Sequence, residues 1–182
     1  MWLLNLVSGQ TQLMVKGYQA YKVACTVPLT LIALGGYARI AILKWPGGRL
    51  SGELTGHRDG VRDMAFSPDG HLLVSVGGES EDEQHRDAVR LWDVASFTQI
   101  SYWMFRHVGA VAFHPRGQVI AVGCIPAAVK MWSFGSGSIE TENLTTLGGI
   151  YALCFSPDGD YLCAANAEGQ LALFKVQSDE DP

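Results

Sequence analysis

The sequence predicts an all-β tandem array of four-stranded units, and three observations carry that prediction. One phrase occurs three times, as Phe66-Ser67-Pro68-Asp69-Gly70, Phe113-His114-Pro115-Arg116-Gly117 and Phe155-Ser156-Pro157-Asp158-Gly159. Successive copies lie 47 and 42 residues apart, the period at which a propeller blade of four short strands recurs. Composition agrees: 182 residues, 48% hydrophobic with 21 Gly and 17% charged, suit one β-rich globular domain and carry too little charge for disorder.

Each phrase reads as the end of a strand running into a tight turn. Pro fixes its own φ, Asp bonds local backbone, and Gly accepts positive φ. Nineteen residues after Phe113 stands Trp132, and nineteen after Phe155 stands Phe174, each closing an apolar run that reads as a third strand. Trp92 plays that part in the first full copy but follows Phe66 by 26, so seven extra residues have entered. Counting nineteen back from Trp45 reaches Thr26, and Thr26-Val27-Pro28-Leu29-Thr30 keeps a Pro in register as a degenerate copy. Upstream, Leu3 to Gly9 aligns with Leu91 to Phe97, placing Leu4 at the Trp position. The expected units are a partial repeat over 1–9, a degenerate repeat over 10–46, and full repeats over 47–97, 98–136 and 137–176. The tail 177–182 is acidic.

Several function classes are disfavoured by composition. A net charge of −5, with 13 scattered basic residues, argues against direct nucleic-acid binding, which needs clustered Lys and Arg to displace counterions. No run approaches the roughly 18 apolar residues of a membrane span, and the apolar start lacks the basic region of a signal peptide. A cytoplasmic or nuclear protein is expected. Cys25, Cys124, Cys154 and Cys163 form no C-x-x-C pair, so a zinc site is not expected. A turn at Asp158-Gly159 places Cys154 opposite Cys163 across a hairpin, with two reduced side chains as the plain reading and a disulfide as the alternative. His71, His85, His107 and His114 read as isolated turn or loop histidines, and neither metal nor cofactor is expected.

Gly56-His57, the Phe-Ser-Pro-Asp-Gly phrase and Val89-Arg90-Leu91-Trp92-Asp93 together resemble the WD-repeat β-propeller family, and the resemblance covers nearly the whole chain. It implies blades of four antiparallel strands around an axis, each repeat running from the outer strand of one blade through the three inner strands of the next. About four blades are expected, as an incomplete, open part of a larger propeller. The competing arrangement is a closed four-blade ring in which residues 10–16 pair with the edge left by 170–176.

The resemblance also implies a buried polar tetrad, which here falls on Trp92, Ser75, Asp87 and His57, with Asp87 one position closer to Trp92 than is usual in the family. A buried indole N–H and imidazole must each find a partner, so the arrangement makes sense without catalysis. A hydrolytic Ser-His-Asp reading lacks a nucleophile elbow. At the matching positions the third repeat has Met104 and Val122, and the fourth has Thr146 and Ala164, so apolar packing is expected to hold those blades.

Two candidate partner surfaces emerge. The inserted segment over 79–86 carries Glu79, Glu81, Asp82 and Glu83 with Arg86, on the turn between the second and third strands. It reads either as a solvated insertion or as a rim loop that captures a basic peptide or surface. Its carboxylates lack the spacing of a calcium loop. On the outer strand before the third repeat, alternation sends Trp103 and Phe105 to one face and Tyr102 and Met104 to the other. One set is expected between blades, with Trp103 as an exposed anchor in the alternative. The residue two after Trp92-Asp93 is Ala95, where ubiquitin-ligase adaptors of this family often carry Arg or Lys. The functional expectation is a non-enzymatic protein-protein interaction scaffold, a subunit or adaptor of a complex, with no small-molecule substrate. The alternative is a lactonase-like propeller hydrolase, suggested by Ala164-Ala165-Asn166.

Overall fold

Antiparallel pairing of neighbouring strands organises the described residues. The computed structural model describes residues 2–4, 11–13, 18–78, 86–124, 128–133, 139–143 and 149–176, with backbone alone for 2–4, 11–13, 86, 106 and 139–143. Strands β1 (Trp2–Leu4) and β2 (Thr11–Leu13) pair with each other. Next come β3 (Lys22–Cys25), β4 (Leu31–Gly35), β5 (Tyr37–Lys44) and the 18-residue β6 (Arg49–Phe66). Its first part, as far as Gly60, is the outer strand of the first blade against β5. From Val61 it becomes the innermost strand of the second blade, beside β7 (Leu72–Gly78), β8 (Arg86–Asp93) and β9 (Thr98–Arg106). The third blade is β10 (Val108–Phe113), β11 (Val119–Cys124), β12 (Ala128–Ser133) and β13 (Ile139–Asn143). The fourth has three strands among the described residues, β14 (Ile150–Phe155), β15 (Tyr161–Asn166) and β16 (Leu171–Lys175). This is an open, all-β propeller array. β2 pairs with β1 and not with β16, so the four-blade ring is not what forms.

Register shows how the copies correspond. Phe66, Leu73 and Trp92 stand side by side across the second blade, as do Phe113, Ile120 and Trp132 in the third and Phe155, Leu162 and Phe174 in the fourth. In the first blade the same row is Cys25, Ile32 and Leu43. The degenerate copy is therefore displaced from the alignment that counting suggests. Thr26 N–H donates to Leu31 O just as Ser67 donates to Leu72 and Ser156 to Tyr161, so Thr26 holds the Ser place and Cys25 the Phe place. Trp45 N–H donates to Thr30 O as Val94 does to His71, so Trp45 holds the Val94 place and Leu43 the Trp place. Two local changes cause the offset: Pro28 stands three residues after the Phe place rather than two, and Leu43 follows Cys25 by 18 residues rather than nineteen because Gly36 alone separates β4 from β5.

The core lies between blades. Alternation along β7 sends Leu73 toward the first blade, with Ile40, Ile42, Leu54 and Trp92, and sends Val74 and Val76 toward the third, with Val111, Phe113, Ile120 and Val122. Ala121, Val129, Ile150, Leu162 and Ala164 fill the next seam. The phrase glycines serve this packing as well as the turn. Gly159 has φ of +85°, and a Cβ there would lie 2.4 Å from His114 Nε2 of the preceding blade. His114 corrects an expectation: it is buried, not an isolated loop histidine, with Nε2 3.1 Å from Gly159 O and its ring edge-on to Phe155 at 5.0 Å. It occupies the Ser place of the phrase and braces the third blade against the fourth.

Candidate functional site

The polar chain in the second blade is assembled by three strands. Trp92 on β8 and Ser75 on β7 are two register rows apart and so share a face, and His57 comes from the stretch of β6 that crosses between blades. Trp92 Nε1–H donates to Ser75 Oγ at 2.8 Å, and the same hydroxyl lies 2.8 Å from His57 Nε2. Trp92, Ser75 and His57 are all buried, so the shared hydroxyl spares two ring nitrogens the cost of burial without a partner. Asp87, the first buried side chain of β8, uses Oδ2 to accept Arg62 Nη1 at 2.6 Å and the backbone N–H of Val108 at 2.8 Å. Its Oδ1 is buried with no hydrogen-bond partner. Asp87 thus ties the second blade to the first residue of the third.

Strands β7 and β8 stop and restart at Gly78 and Arg86. Glu79, Glu81, Asp82 and Glu83 lie outside the described residues, as does the Arg86 side chain. Gly78 and Arg86 place the two ends of that segment on the blade end that carries His57 and Asp87. Trp103 turns inward. Its ring lies 4.0 Å from that of Trp132 and closes the outer seam between the second and third blades, together with Phe105, over which Lys130 sits at 4.9 Å. Of this strand the exposed apolar members are Ile100, Tyr102 and Met104, so the anchor reading of Trp103 is replaced by a packing one.

The innermost strands of all four blades line a groove of about 410 Å³. Lys22 and Asp63 occupy the same place in their blades as Ala110 and Ala152, three residues before the Phe row. Lys22 Nζ meets Asp63 Oδ1 at 2.9 Å, and Asp63 Oδ2 accepts the Val111 backbone N–H at 2.9 Å. One residue earlier, at the mouth of the groove, stand Tyr21, Arg62, Gly109 and Tyr151. Tyr21 and Tyr151 are more than half exposed. Gly109 is constrained to glycine, because a Cβ there would lie 2.1 Å from Ile150 O. Sequence reasoning missed this mouth, although its residues share one repeat position and aligning the rows would have grouped them.

Asn166, the residue behind the hydrolase alternative, caps its own turn. Its Oδ1 accepts the backbone N–H groups of Glu168 and Gln170, and its Nδ2 donates to Gln170 Oε1 at 2.8 Å. Among the described residues no group of three or more His, Cys, Asp or Glu side chains is placed to hold a metal ion. Among the described residues no helix is long and apolar enough to cross a membrane.

The family profile described as "WD domain, G-beta repeat" matches residues 48–93, 100–133 and 141–175. The chain belongs to the WD-repeat family. Its relatives include WD repeat-containing protein 90 of Xenopus tropicalis, 22% identical over 154 residues that make up 84% of this chain and 8% of that protein. Coronin-7 of Homo sapiens is 25% identical across 91% of this chain and 18% of its own length. The Protein LST8 homolog of Drosophila melanogaster is 28% identical across 69% of this chain and 39% of its own length. The chain thus spans well under half of each of these WD-repeat relatives.

Proposed function

We propose that this chain is a non-enzymatic scaffold that engages a protein partner through the blade end bearing the groove mouth and the inserted loop. The observation that carries the reading is how the groove's charges are used. Lys22 and Asp63 neutralise each other and Asp63 also accepts the Val111 backbone N–H, whereas a hydrolase needs carboxylates or imidazoles free to meet a substrate. Beside them, Tyr21, Tyr151 and Arg62 present the residue types that dominate interaction hot spots, on or next to strands that hold them at little ordering cost. The partner segment is a basic peptide or surface, met by Glu79, Glu81, Asp82 and Glu83, with Arg86 beside them, and the expected compartment is cytoplasmic or nuclear.

The test is affinity capture with quantitative mass spectrometry on two variants. Replacing Glu79, Glu81, Asp82 and Glu83 with Ser removes the acidic charge, and Tyr21→Ala with Tyr151→Ala removes the aromatic mouth. Each is expected to lose partners at least fivefold while the fold, read by circular dichroism, is unchanged. Capture that survives the first set would remove the acidic loop, and capture that survives both would remove this face.

A further inference from the structure

Each blade carries one cross-strand pair just inside the Phe row, and three of the four pairs are small and apolar. They are Ala24 with Ala33, Ala65 with Val74, and Ala112 with Ala121. In the fourth blade the same two positions are Cys154 and Cys163, directly opposite each other on β14 and β15. The backbone N–H of Ser156 bonds Tyr161 O at 2.8 Å, so two residues further along the ladder Cys154 and Cys163 are again a hydrogen-bonded pair. Such pairs hold their Cα atoms about 5.5 Å apart, inside the window a disulfide spans. Cys163 matches the fully buried Ala33, Val74 and Ala121, and Cys154 matches Ala24, Ala65 and Ala112; Cys154 is exposed and Cys163 half-buried. Both thiols are free.

We propose that Cys154 and Cys163 form a reversible redox pair, closing to a cross-strand disulfide by exchange with a small-molecule disulfide such as oxidised glutathione. The exposed Cys154 thiolate attacks one sulfur of the oxidant, forming a mixed disulfide and releasing one glutathione thiolate. The Cys163 thiolate then attacks the Cys154 sulfur, breaking the mixed disulfide and releasing the second glutathione. Two protein thiols are oxidised, one small disulfide is reduced to two thiols, and the two protons lost from the cysteines pass to the departing thiolates. Desolvation pushes the Cys163 thiol up, with the neighbouring Cys154 adding to the effect, so the closing step quickens as pH rises. Of the other cysteines, Cys124 is buried and Cys25 is exposed on a different blade, where Ile32 faces it across the ladder.

The test treats the full chain with stepped ratios of reduced to oxidised glutathione, blocks remaining thiols by alkylation, and cleaves after Phe155 and Tyr161 for mass spectrometry. The expected product is an intramolecular Cys154–Cys163 link that dithiothreitol reverses and that forms several-fold faster at pH 8.5 than at pH 6.5. Cys163→Ser is expected to trap glutathione on Cys154 instead. Should the wild-type chain yield only alkylated cysteines, or two independent glutathione adducts at Cys154 and Cys163, at every ratio, the proposal is overturned whatever the variant does.

Discussion

The second and third blades share one frame and solve the same packing problem with different chemistry. In the second, Trp92 is 1% exposed, and its indole N–H is satisfied by Ser75, which His57 also reaches. In the third, the place of Ser75 is taken by Val122, and the half-buried Trp132 packs on Trp103. The difference follows from burial. An indole shut away from water must carry a hydrogen-bond partner with it, whereas the half-buried Trp132 is less fully desolvated and adds a ring contact with Trp103. The polar chain is thus a consequence of how deeply the second blade is enclosed.

That comparison can be broken hardest at Trp92. Trp92→Ala should cost about 3–5 kcal/mol, measured by urea unfolding, because it empties the largest buried side chain of the first seam. Ser75→Ala removes the hydroxyl shared by two buried rings and should cost about 2–4 kcal/mol, while Val122→Ala in the third blade costs less, about 1–2 kcal/mol. Equal losses at the two sites would contradict the burial account. Next comes the phrase glycine: Gly159→Ala should cost about 1–3 kcal/mol from its clash with His114 and its positive φ. Adding His114→Ser should recover part of that loss, and no recovery would show that the turn alone is strained.

A smaller effect separates the phrases by pH. The Ser67 hydroxyl and the His71 backbone N–H hold the Asp69 carboxyl below its ordinary value, and Ser156 with the Asp160 N–H does the same for Asp158. A depressed folded-state value means that the turns gain stability above the unfolded carboxylate pKa and lose it as pH falls through the folded one. The third blade's phrase has Arg116 in place of the Asp and contributes nothing of this kind. Carboxyl carbon titration by NMR should show both Asp values rising toward normal in Ser67→Ala and Ser156→Ala.

Much of the fold was legible because its signals are local. The Phe-x-Pro-x-Gly phrase announces a turn, alternation announces the strands, and their period announces the blade. The reading went astray where turns changed without a composition signal: Pro28 stands one place later than the Pro of the other phrases and the turn at Gly36 is one residue shorter, so Leu43 and not Trp45 holds the Trp place. His114 was misread for a related reason. From sequence it is a polar residue in a turn, and only the approach of Gly159 from the next blade encloses it. Trp103 was ambiguous because alternation names two faces and does not say which one a neighbour covers.

While the family resemblance is what grouped Trp92, Ser75 and His57 in one repeat, the sequence by itself determined the repeat, the antiparallel order of strands and the opposition of Cys154 to Cys163. Each depends on backbone geometry within about twenty residues or on a period that repeats it. Tertiary structure decided which face of each strand is covered, that Asp87 ties the second blade to Val108, that Lys22 and Asp63 neutralise each other, and that Tyr21, Arg62 and Tyr151 share one mouth. Those relations join residues of different blades, and their strength rests on desolvation by a neighbour that no stretch of sequence specifies alone.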